Sequence, residues 1–159
     1  MQQVIEDAKA EFLRAKSRLL KGLETTPDDK ANWSPSPTSR TPLQLVGHCA
    51  ASIPGIQGYL MGGPFPFTDM AEMDRTLREE DKGYTSREQV KKSLTDHCDA
   101  YIVWLDTLTP EEVGSIKETL MGPQPMAQMV TWVADHLRSH AAQLDYIQTI
   151  YGDRKFYMG

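Results

Sequence analysis

The chain has 159 residues, 40% of them apolar and 25% charged, with a formal net charge of −5. That length predicts one domain over residues 1–159 with a single buried core. The acidic balance argues against nucleic acid as a partner, because neutralising phosphates takes clustered Lys and Arg, and the basic pair Lys91–Lys92 reads as a solvated helix face.

The longest apolar run, AYIVWL from Ala100 to Leu105, is far too short to cross a membrane. The opening stretch MQQVIEDAKAEF has early acids and lacks the apolar centre of a secretory signal, so the expected setting is the cytoplasm. Cys49 and Cys98 both fall in helical apolar patterns. They read as two buried free thiols, with a single inter-helix bridge as the alternative.

Four long helical segments follow from the 3.6-residue period. The first runs from about Gln3 to Leu23, with Val4, Ala8, Phe12, Ala15, Leu19 and Leu23 on one stripe. The second opens at Thr41 as N-cap with Pro42 at the first helical position, where a missing N–H costs nothing. Its stripe is Leu45, Val46, Cys49, Ile53, Ile56 and Leu60, and Gly62–Gly63 ends it. Pro54 lies inside it. Either its ring meets the Ala50 carbonyl and bends the rod just past His48, or the helix stops at Ile53.

The third helix is capped by Thr85 or Ser86 and buries Val90, Leu94, Cys98, Tyr101 and Leu105. The fourth follows MGPQPMAQMV, with a stripe of Met126, Met129/Val130, Val133, Leu137, His140, Leu144, Ile147 and Tyr151. The first crossing, ETTPDDKANWSPSPTSRTP, is too long for a tight hairpin, and the second is expected to hold an extra helical turn or two. Strand signals are almost absent. The fold class is therefore all-α, a four-helix bundle with long crossover loops.

His136 and His140 stand four apart, on one face of the last helix, and can aim both imidazoles at one point. A divalent metal accepts that geometry at nitrogen–metal distances of about 2.0–2.1 Å for zinc. His48 on the second helix is the candidate third ligand, and its neighbour Gly47 leaves room for another backbone or a ligand to approach. The alternative is a set of hydrogen-bonded core histidines, and His97 is read that way. In HLRSH, Leu137 occupies the position where an H-E-x-x-H protease needs its glutamate, and no Glu-x-x-His pair marks a di-iron bundle. A three-histidine site with open positions suits activation of a water or a thiol. Gln143, three residues after His140, is a candidate for bonding a metal-bound water or a group on the second helix, or else a polar edge of the stripe. Cys49 points away from His48 by about 100° and reads as core. Trp132, Tyr146 and Tyr151 read as packing.

The order of Trp33 and Pro35, then His48, then His136, His140 and Gln143 resembles the DinB-like (YfiT-like) superfamily of metal-dependent enzymes. The shared family name with a polymerase implies nothing about DNA. The resemblance implies an up-down-down-up bundle, a homodimer, and a divalent metal, commonly zinc or nickel, on His48, His136 and His140. It further implies a low-molecular-weight thiol as co-substrate. The expected activity is a metal-dependent thiol S-transferase acting on a small-molecule electrophile. The alternatives are a metal-dependent hydrolase of a small substrate and a non-catalytic, stress-related metal-binding dimer. Phe65, Phe67, Met70 and Met73 read as core or interface rather than pocket wall. Arg40 and Arg138 are candidates for holding an anionic thiol, and Arg138 can instead pair with Asp135.

Overall fold

The computed structural model describes residues 2–155 and 157, and these are mostly helical. In chain order the elements are α1 (Gln2–Thr25), α2 (Asp28–Ala31), α3 (Pro42–Leu60), α4 (Met70–Asp81), α5 (Arg87–Leu105) and α6 (Pro110–Val113). Then come β1 (Ile116–Thr119), β2 (Gly122–Pro125), α7 (Met126–Met129) and α8 (Trp132–Ile150). Helix α1 packs along α8 and α3 along α5, while α3 also meets α8. The expected stripes supply the core: Phe12, Leu19, Leu23, Val46, Ile53, Leu94, Tyr101, Leu137 and Leu144 are all buried. Cys49 and Cys98 are buried free thiols.

Helix α3 begins as the sequence predicts. Thr41 accepts from the Gln44 backbone N–H while the Gln44 side chain accepts from the Thr41 N–H, a closed capping box with Pro42 behind it. It does not stop at Ile53 but runs unbroken through Pro54 to Leu60. Proline removes the N–H that would have met the Ala50 carbonyl. That carbonyl instead accepts from Nδ1 of His97 on α5, at 2.7 Å. His97 is thus a structural residue, as expected.

Three features depart from the sequence expectation. The second crossing holds a three-turn helix, α4, rather than a turn or two; Asp69 caps it by accepting from the Glu72 N–H. The third crossing contains an antiparallel hairpin, with Ile116 opposite Pro125 and Thr119 opposite Gly122. Its strands show no apolar/polar alternation, and its turn residues Leu120 and Met121 are 72% exposed, so no strand signal marks it. The Met126 N–H donates to the Ser115 carbonyl at 2.9 Å and ties the hairpin's base to α7. Finally, the fourth helix is interrupted. A single turn, α7, precedes α8, and the Tyr101 hydroxyl donates to the Val130 carbonyl at 3.0 Å between them.

Candidate metal centre

Helix α8 carries His136 and His140 one turn apart, and α3 presents His48 to both. The ring centroids lie 4.6 Å apart for His136 and His140, 5.1 Å for His48 and His136, and 4.8 Å for His48 and His140. One ligand atom from each ring falls within 4.8 Å of the others. Among the described residues no Asp, Glu or Cys atom joins this group.

His48 is 5% exposed and the other two are half-buried. Burial in the fold pushes His136 down to about 3, and repulsion of a protonated ring by His140, His48 and Arg40 acts in the same direction. Burial likewise pushes His140 down to about 4, against the raising effect of the hydrogen bond that His140 donates to Gln143. Both rings are therefore neutral at ordinary pH and keep a lone pair for a metal.

Each ring's second nitrogen is accounted for differently. His140 Nδ1 donates to Gln143 Oε1 at 2.8 Å, which leaves its Nε2 lone pair free. Gln143 thus holds the ring itself, rather than a group on α3. His136 Nε2 is sealed from solvent with no hydrogen-bond partner, and so is Nδ1 of His48. A buried nitrogen without a partner is rare; for Nε2 of His136, among three converging rings, a bound cation would supply one, whereas Nδ1 of His48 lies 3.4 Å from Asp81 Oδ2. A tetrahedral cation would hold its ligand nitrogens ~3.3 Å apart, so side-chain movements of about an ångström would close this cluster around one. The donor set fits a divalent transition-metal ion.

Around the cluster, the structure uses residues that the sequence left undecided. Gly47 lies against the ring of Tyr84: a Cβ there would fall 2.1 Å from Tyr84 Cγ. The space at Gly47 is thus taken by the side chain of Tyr84, in the segment that follows α4, and not by another backbone or a ligand. Arg40 donates through Nε to Asp81 Oδ2 at 2.6 Å, and that oxygen lies 3.4 Å from Nδ1 of His48. Asp81 is 2% exposed and was not foreseen. Arg138 pairs with Asp135 at 2.9 Å and with Glu11 at 3.2 Å, on the surface. Phe65 meets both Phe67 and Tyr59 edge-on, and Met70 is exposed. Trp33 meets Tyr151 edge-on at 6.1 Å. Burial pushes up the thiol of Cys49 and raises that of Cys98 to about 12, so neither is a thiolate.

No helix among the described residues is long and apolar enough to cross a membrane. No curated protein matches the chain. The family model of the DinB superfamily matches residues 11–144, a span that runs from α1 through the helix bearing His136 and His140. By that match, over most of its length, this chain belongs to the DinB superfamily.

Proposed function

We propose that this chain binds one divalent cation, zinc or nickel, through His48, His136 and His140, and works as a thiol S-transferase on a small electrophile. The observation that carries the reading is the convergence of three imidazoles from α3 and α8 within 4.8 Å. Membership of the DinB superfamily supports it. In this reading the chain is a single domain, an up-down-down-up four-helix bundle that works as a homodimer in the cytoplasm.

A cation held only by neutral imidazoles keeps its full positive charge and lowers the pKa of a thiol or water in an open position. The chain's own residues prepare that site. His136 and His140 are already neutral, so binding releases no proton from them. Gln143 fixes the His140 ring through Nδ1. Cys49, adjacent to His48 in sequence, is buried and protonated. The chain therefore supplies no thiolate beside the cluster, and a reacting sulfur has to come from a diffusible thiol.

The test is metal content by mass spectrometry on untagged protein purified without chelator, beside a His136→Ala/His140→Ala variant. Near-stoichiometric zinc or nickel in the wild type, absent from a still-folded variant, is the expected result. The loaded protein should then conjugate a cysteine-derived thiol to a chlorodinitrobenzene. A metal-free wild type that takes up no added zinc overturns the reading; metal without thiol-dependent turnover overturns its transferase part.

A further inference from the structure

Asp81 closes α4, and its carboxylate is withdrawn from water at 2% residue exposure. A buried carboxylate persists only with partners. One is Arg40, whose side chain is 14% exposed and whose only hydrogen bond among the described residues is the 2.6 Å donation from Nε to Asp81 Oδ2. The other neighbour of that same oxygen is Nδ1 of His48, at 3.4 Å. This nitrogen is sealed and partnerless, whereas Nε2 of His48 is not among the sealed, partnerless atoms.

The two tautomers of His48 are not equivalent in this setting. With the proton on Nε2, the Nδ1 lone pair would face a carboxylate oxygen. With the proton on Nδ1, the N–H has a carboxylate acceptor 3.4 Å away, and Nε2 keeps the lone pair. Metal-bound imidazoles commonly donate their other N–H to a carboxylate or carbonyl, and His140 already does so through Gln143.

We propose that Asp81 is a positioning residue of the metal centre: held by Arg40, it accepts from Nδ1–H of His48 and commits Nε2 of that ring to the cation. The proposal rests on the metal reading above. It gives α4 a role in the centre, since this helix contributes no ligand yet sets the orientation of the one ligand that α3 provides. A purely structural Arg40–Asp81 pair would affect stability and leave both the His48 tautomer and the metal affinity unchanged.

Two variants separate these roles. Asp81→Asn removes the charge and keeps the shape. Arg40→Met/Asp81→Leu exchanges the buried pair for apolar groups of similar volume, a change that folds tolerate well. Long-range proton–nitrogen NMR on the metal-free wild type should show His48 protonated at Nδ1; the double variant, which has no acceptor at position 81, should lose that preference, and Asp81→Asn, which keeps an amide oxygen there, should retain it in part. Zinc affinity, measured by competition with a chromogenic chelator, should fall about 10–100-fold in the double variant with helix content unchanged. A folded double variant that binds zinc within about twofold of wild type and keeps the Nδ1–H tautomer overturns the proposal alone. A wild type that takes up no zinc overturns the metal reading and this proposal together.

Discussion

At Gly47 the absence of a side chain decides whether the segment after α4 can dock on α3. A Cβ would sit 2.1 Å from Cγ of Tyr84 and 2.3 Å from Cδ2, inside any tolerated contact. Gly47→Ala must therefore push the Tyr84 ring outward. The expected cost is about 1–3 kcal/mol in urea unfolding, the usual price of overpacking. Combining it with Tyr84→Ala should cost less than the sum of the two single changes, because the clash then has no second partner. A neutral Gly47→Ala would mean that Tyr84 does not pack there. The same residues show what a sequence discloses at this scale. His136 and His140 were legible because a spacing of four fixes their mutual direction whatever else surrounds the helix. Asp81 was not, because in the run Arg78, Glu79, Glu80, Asp81 it has the same local chemistry as its neighbours, yet only Asp81 is buried. Its burial is created by tertiary docking alone.

Helix α3 survives an internal proline because α5 supplies the missing donor. If His97 compensates for Pro54, the two residues are coupled. His97→Leu should destabilise by about 1–3 kcal/mol by orphaning the Ala50 carbonyl. In a Pro54→Ala background the restored N–H at position 54 meets that carbonyl, and the same His97→Leu change should cost about 1 kcal/mol less. A double-mutant cycle by urea denaturation measures the difference, and additive costs would contradict the compensation. Among whole elements, legibility followed local signals. The Thr41 cap, and a cap at Thr85 or Ser86 that the structure resolves to Ser86, were readable because capping is a contact within four residues. The α7–α8 interruption was hidden because the Tyr101 hydroxyl that takes the Val130 carbonyl comes from another helix, 29 residues away in sequence. The hairpin was hidden because its strands lack alternation and β2 carries Pro123 and Pro125, which belong only at a sheet edge.

For the molecule as a whole, the histidine cluster links stability to pH. In the metal-free protein His136 titrates at about 3 and His140 at about 4, each driven down mainly by burial of a ring that would be charged. In the unfolded chain both return to about 6.5. Between these values the unfolded state binds more protons than the folded one, so stability increases with pH. The contribution of the two neutral rings is fully present above about 6.5 and is lost progressively as pH falls through the folded values. The carboxylates of Glu72, Glu88, Glu112 and Asp153 are all held below their usual range by hydrogen bonds, and their loss belongs to more acidic solution, below about 4.5. The interval from about 4.5 to 6.5 therefore reports mainly on histidine. Urea midpoints of chelator-treated wild type should fall steadily as pH is lowered across that interval. A His136→Gln/His140→Gln variant should give a much flatter profile, because glutamine has no proton to gain. Saturating zinc should raise the wild-type midpoint at pH 7, by about 2.7 kcal/mol at a hundred times the dissociation constant, and leave the variant unmoved. A wild-type profile as flat as the variant's would mean that the two rings are solvated in the folded chain, and the clustered neutral donors on which a metal depends would be lost with that result.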